Sequence, residues 1–226
     1  MLNIIDSVKE KMVLVCKVLQ QQRLVDGYGH VTFRLPDNRI LSTPLMPPGK
    51  VALRDLIILD TQGNKLEGPG EPNGETPMHT SIYKARPDVQ CILHYHPDEL
   101  VAVSVAGVGV KVVANCGAQF YRGVPIFDSP SLIRTDALGD KVAEALGDRN
   151  AVLLRGHGGT AVADNLDDLL RLGINLVRTA RIQIMASSLG PVKTHSRAEV
   201  EEILQIDSRG KALRRFLDYY LSETLD

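Results

Sequence analysis

Apolar residues recur every three or four positions over residues 3–24, where Ile4, Ile5, Val8, Met12, Val15, Cys16 and Leu19 share one side of a 3.6-residue period. The spacing predicts an amphipathic helix that stops at Asp26-Gly27. Short strand-like runs follow at His30–Arg34, 39–42 and 56–60, accompanied by the turn sequences Pro36-Asp37-Asn38 and Gln62-Gly63-Asn64. A polar loop rich in Gly and Pro covers 67–74, and 75–86 reads as a helix with Pro77 in its first turn, where no N–H is needed. Residues 89–96 (VQCILHYH) have the apolar, β-branched character of a buried strand, and further strands are expected at 111–114, 124–127 and 151–155. Asp136–Leu146 and 166–189 read as helices, and Ser196-x-x-Glu199 is a capping box that opens a C-terminal helix.

A helix, then short strands, then more helices predicts a layered α/β architecture around a largely antiparallel sheet. No repeat or linker divides the 226 residues, so a single domain over 1–226 is expected. Hydrophobic residues make up 44% and charged residues 23%, which is enough apolar material for a sizeable core. With 26 basic and 27 acidic residues, the net charge of -1 argues against bulk attraction to nucleic acid or acidic membranes. Residues 1–25 carry Asp6, Lys9, Glu10, Lys11, Lys17 and Arg23, so no targeting h-region is expected. The apolar stretch 101–110 is too short to span a bilayer. Cys16, Cys91 and Cys116 are distant and odd in number, which excludes a disulfide framework and fits a cytoplasmic location.

The six histidines are distributed unevenly. His94 and His96 flank Tyr95 near a predicted strand end, and strand alternation sends both imidazoles to one face. His157 follows another buried run, within Gly156-His157-Gly158-Gly159. A His-x-His pair with a distant third histidine suits zinc or manganese with an open coordination position. Hydrogen-bonded edge histidines would produce the same pair, but the occurrence of all three at strand ends favours the metal. Glu75 opens a predicted helix after the Gly-rich loop. Alone it reads as an acid complementing the helix dipole, and near an ion it becomes a candidate ligand or general base.

Other motifs carry less. Gly156-x-Gly158-x-x-Ala161 matches a dinucleotide fingerprint, but 174–183 contains no acid for a ribose and no βαβ series precedes it. His94-x-His96-x-Asp98, with His157 and His195 as further ligands, resembles the metallo-β-lactamase zinc motif, although Glu99 stands where that motif requires a histidine.

Three stretches together resemble the class II aldolase/adducin-head superfamily. These are Gly27-Tyr28-Gly29-His30-Val31-Thr32-Phe33-Arg34, Glu75 through His79, Tyr83 and Arg86-Pro87-Asp88-Val89 to His94-Tyr95-His96, and Gly156-His157-Gly158. The resemblance runs from about residue 5 to 205. It implies a three-layer α/β/α fold with a central, mostly antiparallel sheet, and a homotetramer with sites at subunit interfaces. It also implies His94, His96 and His157 as ligands of one divalent ion per subunit (zinc, or else manganese or cobalt), with Glu75 as the catalytic acid/base. Where phosphate-using members carry small hydroxyl and amide donors, this chain has Gly27 and His30, Thr43-Pro44-Leu45-Met46, and Asn73-Gly74. The Gly-His-Val-Thr-Phe-Arg and Arg-Gly-His-Gly-Gly-Thr stretches look closer to the decarboxylase-type branch.

The resulting expectation is a divalent-metal-dependent carbon–carbon lyase acting through an enolate stabilised by the ion. A decarboxylase of a hydroxylated carboxylic acid, aromatic acids included, comes first. An aldolase or epimerase acting on a sugar or sugar phosphate is the alternative, and a non-catalytic adducin-like assembly module the second. His30 and Arg155 are the expected anchors of a substrate carboxylate. Tyr219 or Tyr220 is placed as a possible proton donor to a neighbouring subunit's site, although packing explains either aromatic equally well.

Overall fold

Strands 30–34 and 91–95 form the centre of the molecule because every residue in the latter is buried on both faces, with helices covering each side. The computed structural model describes residues 2–206 and 210–222. In chain order the regular elements are α1 (Leu2–Gln21), β1 (His30–Arg34), β2 (Ile40–Ser42), β3 (Ile57–Leu59), β4 (Lys65–Glu67), α2 (Thr76–Ala85), β5 (Cys91–Tyr95) and α3 (Asp98–Val105). They continue with β6 (Ile126–Phe127), α4 (Asp136–Leu146), β7 (Ala151–Leu154), β8 (Gly158–Ala163), α5 (Leu166–Ser187), α6 (Arg197–Ile206) and α7 (Lys211–Ser222). One eight-stranded sheet has the order β4-β3-β2-β1-β5-β8-β7-β6, antiparallel throughout except for the β6–β7 pair at one edge.

Alternation divides the core in two. Val31, Leu93, Tyr95 and Leu153 face α1, α3 and α5, whereas Ile92, Val152 and Val162 face α2 and α4. This is the expected three-layer α/β/α arrangement. The register aligns His30 with His94 and His94 with Thr160, so these three residues form a polar row beneath α2.

Several expectations need correction. α1 ends at Gln21 rather than at Asp26-Gly27, because Arg23 adopts φ 57° and the Leu24 amide closes back on the Leu19 carbonyl at 2.9 Å. Residues 111–114 pair with no strand, and the Lys111 amide donates instead to Gln183 Oε1 on α5 at 2.7 Å. The strand expected over 124–127 is only Ile126–Phe127. The sequence reading misses α3, which contains half of the apolar 101–110 stretch, the exposed edge strand β4, and β8, which pairs with β5 in the middle of the sheet. The Ser196–Glu199 capping box does form, with the Glu199 carboxylate accepting from the Ser196 amide at 2.6 Å. No described helix is long and apolar enough to cross a membrane.

Candidate metal centre

The last residues of β5, the start of α2 and the β7–β8 turn meet at one end of the sheet. His94 is the penultimate residue of β5, and His96 follows its end, on the same face. His157 lies in the turn between β7 and β8, where Gly156 takes φ 69°. Gly158 must lack a side chain, because a Cβ there would stand 2.4 Å from the Tyr95 carbonyl oxygen and 2.9 Å from the His96 ring. The Gly-His-Gly-Gly sequence is therefore a hairpin that brings His157 against His96. It does not enter a helix, so the dinucleotide fingerprint has no structural counterpart.

Glu75 occupies the N-cap position of α2 but makes no capping bond. Its Oε1 accepts from the Ile133 amide at 2.7 Å, and its Oε2 lies 3.4 Å from both His94 Nε2 and His157 Nε2. His94 Nε2 is 2.9 Å from His96 Nε2 and 3.4 Å from His157 Nε2. Among the described residues these four offer donor atoms that all lie within 4.8 Å of one another.

The donor chemistry fits a divalent cation. His94 Nδ1 sits 3.1 Å from the Gly159 carbonyl oxygen, which can only accept, so the proton is on Nδ1 and Nε2 is a bare lone pair. Thr160 Oγ1, 3.0 Å from the same Nδ1, supports that tautomer and passes its own proton towards Met78 Sδ. His157 Nδ1 is buried without a hydrogen-bond partner, which leaves Nε2 as the ring nitrogen that meets the other donors. Ligand atoms about 2.0–2.1 Å from a tetrahedral zinc stand about 3.3 Å apart, close to the 3.4 Å separations found here. Burial lowers the pKa of His94, and that of His96 to about 3, so both are neutral, as ligands must be. Burial pushes the Glu75 carboxyl up, but hydrogen bonding to the His157 ring and the Ile133 amide outweighs it and holds the group well below the usual carboxylate range.

Beside the four donors, a buried chain of hydrogen bonds runs under α2. His30 Nδ1 contacts His79 Nε2 at 2.8 Å, His79 Nδ1 contacts Thr32 Oγ1 at 2.7 Å, and Thr32 Oγ1 contacts Tyr83 Oη at 2.8 Å. Burial keeps His30 neutral and lowers His79 to about 3, with His79 and His94 adding to the effect on His30. His30 thus lines the cavity with a ring that burial keeps neutral. Sequence reading assigned no role to His79. Its position four residues after Glu75, one helical turn along the same face of α2, was the available signal.

The remaining candidates lie elsewhere. Arg155 does not line the cavity: its guanidinium pairs with Asp128, and its amide is tied to the Phe127 carbonyl at the sheet edge. Tyr219 is exposed on α7, edge-on to Tyr220, whereas Tyr220 packs against the core. His195 contacts Asn115 at 3.0 Å and Glu99 pairs with Arg181, so neither approaches the four donors as the β-lactamase-like reading required.

A cavity of about 630 Å³ opens over the centre. Glu75, His96 and His157 form its floor, and Leu45, Met46 and Leu132 supply apolar wall.

A family model described as the class II aldolase and adducin N-terminal domain matches residues 10–184. A 3,4-dihydroxyphthalate decarboxylase from Arthrobacter keyseri is 30% identical over 197 residues, covering 80% of this chain and 79% of that protein. A protein of the same description from Rhodococcus jostii is 31% identical over 191 residues, covering 77% and 78%. Among solved structures, an L-fuculose 1-phosphate aldolase from Glaciozyma antarctica superposes with a TM-score of 0.85 at 21% identity, covering 97% of this chain and 88% of that one.

Proposed function

This chain belongs to the class II aldolase and adducin N-terminal domain family, and from that premise we propose that it is a divalent-metal-dependent carbon–carbon lyase that decarboxylates a hydroxylated aromatic carboxylic acid. The observation that carries the reading is the convergence of Glu75, His94, His96 and His157 on one point at the floor of a partly apolar cavity. The names of the relatives from Arthrobacter and Rhodococcus support the decarboxylase branch.

His94, His96 and His157 would hold the ion, and Glu75 would stand at its edge. When bound, the ion supplies Lewis-acid polarisation of substrate oxygens, worth several kcal/mol in the transition state. Glu75, ionised and fixed through Oε1, takes the proton of a substrate hydroxyl at Oε2. The bond to the leaving carboxylate then breaks, CO₂ departs, and the electron pair stays on the carbon. Glu75 returns its proton to that carbon, and the hydroxyl oxygen regains one from water. Such a relay is worth about two to four powers of ten in rate. Leu45, Met46 and Leu132 give the same cavity an apolar wall against which an aromatic ring would rest.

Aldol cleavage of a sugar phosphate uses the same floor, and it is disfavoured because the donors beside it are already spent. Thr43 Oγ1 is occupied by the Val31 backbone, and Asn73 Nδ2 by the Thr43 carbonyl. A purely scaffolding role would give no physical reason for four converging donors. We place the chain in a homotetramer with sites between subunits, which light scattering tests directly. The decisive assay offers the zinc- or manganese-loaded protein a panel of dihydroxylated aromatic carboxylates and ketose phosphates, scoring CO₂ and aldehyde separately. Release of CO₂ from the first class is expected, and aldehyde from the second with no CO₂ would replace decarboxylase by aldolase.

A further inference from the structure

The cavity has a second polar feature away from its floor. Among its described lining residues, Arg134 is the only arginine or lysine. Its guanidinium lies over the backbone just before Glu75, with Nε 3.5 Å and Cζ 3.9 Å from where a Cβ at Gly74 would stand. No described acid pairs with it, in contrast to Arg155, which Asp128 holds at the sheet edge. The segment that carries it is fixed to the centre, because the adjacent Ile133 amide donates to Glu75 Oε1. An unpaired guanidinium at a fixed offset from the ligand cluster is an anion site facing the same cavity.

Building on the proposed lyase activity, we propose that Arg134 is a specificity-determining residue that binds a second carboxylate of the substrate, the one that remains after reaction. The charge must be on the retained group. An anchor on the carboxylate that leaves would stabilise the ground state and lose its partner in the transition state, raising the barrier. The class of substrate is therefore a dicarboxylate, with one carboxylate beside the ion-polarised hydroxyl and the other on Arg134. A planar guanidinium matches a planar carboxylate through two parallel N–H···O bonds. A phosphate would need donors for three oxygens, and the neighbouring Thr43 hydroxyl and Asn73 amide are already committed.

Equilibrium binding to the metal-loaded protein separates this from turnover. Catechol and 3,4-dihydroxybenzoate differ by one carboxylate, and calorimetry gives their affinity ratio. The wild-type protein should bind the carboxylate about tenfold more tightly or better. Arg134→Gln should reduce that preference to within about twofold while metal content and catechol affinity stay constant, and Arg134→Lys should keep part of it. A preference that survives Arg134→Gln, or a wild-type protein without one, overturns the proposal. A parallel pair, glycolate and 2-phosphoglycolate, reads the phosphate source: a larger Arg134-dependent gain there than for the carboxylate also overturns it. Failure of the decarboxylase reading looks different, as absent CO₂ release with the Arg134-dependent preference intact.

Discussion

Glu75 and Ile133 are joined by a 2.7 Å hydrogen bond in which the backbone amide of Ile133 donates to Oε1, leaving Oε2 at 3.4 Å from two imidazole nitrogens. One oxygen of the carboxylate is thereby tied to the backbone, and the other is left for the role proposed for Glu75. Glu75→Gln keeps an acceptor for Ile133 but removes the proton carrier. We expect it to fold with an unchanged unfolding midpoint and to retain metal, while kcat falls by about 10²–10⁴. Glu75→Ala should lose as much activity and also destabilise the protein by about 1–3 kcal/mol, since a buried amide loses its partner. Denaturant melts and single-turnover rates on both variants check the division of labour, and equal stability of the two would contradict it.

His94 should behave differently from Glu75, because the proposed function gives it to the ion and not to proton transfer. His94→Ala is expected to leave the purified protein with little bound metal by elemental analysis. Thr160→Val, which removes the 3.0 Å support of His94 Nδ1 but leaves the Gly159 carbonyl in place, should weaken metal affinity by about tenfold in a chelator competition. Unaltered affinity in Thr160→Val would mean that the Gly159 carbonyl alone sets the tautomer.

The parts of this site legible in the sequence are those whose spacing is short. His94 and His96 share a face because strand side chains alternate, and Asp136–Leu146 is helical where its periodicity places it. Arg134 lies outside every motif, and its segment reaches the cavity through contacts distant in sequence, among them the Glu75–Ile133 bond across 58 residues and the burial of Ile133 in the core. The chain from His30 to Tyr83 is hidden for the same reason: β1 and α2 meet only through the sheet register. Arg155, the other expected carboxylate anchor, follows directly on the end of β7 and pairs with Asp128. The 111–114 run has strand-like residues, but the Lys111 amide donates to Gln183 on α5 and not to a strand.

Gly139 tests how far the centre depends on helix packing. A Cβ there would lie 2.4 Å from the Pro77 carbonyl oxygen and 2.7 Å from Ser81 Oγ, so α4 touches α2 along its backbone. Alanine is favoured over glycine in a helix by about 0.8–1.0 kcal/mol. Overpacking against a neighbouring main chain costs about 1–3 kcal/mol, and with α2 held against the sheet by buried Met78 and Ile82 the clash should win. Gly139→Ala should lower the unfolding free energy by about 1–2 kcal/mol. It should also depress kcat, because Pro77 is two residues from Glu75. A stabilised, fully active variant would mean that the two helices separate freely.

The buried His79 makes stability sensitive to acid. In the unfolded chain it titrates near pH 6.5, whereas burial, with His94 nearby, lowers it to about 3 in the folded protein. Between those values the unfolded state carries a proton that the folded state lacks. The stability conferred by the neutral ring is therefore complete above about pH 6.5 and is lost as pH falls towards 3, by at most about 1.4 kcal/mol per pH unit. His30, His94 and His96 are lowered in the same direction, so the metal-free protein should weaken steeply in mild acid. Replacing His79 by Gln removes one of these groups. Urea unfolding in EDTA at pH 7, 6, 5 and 4 should give a shallower acid loss for His79→Gln than for wild type, by about 1.4 kcal/mol per unit at most. The variant should also be less stable at pH 7, where the bonds to His30 and Thr32 are missing. Parallel acid slopes for the two proteins would show that His79 takes up its proton without unfolding.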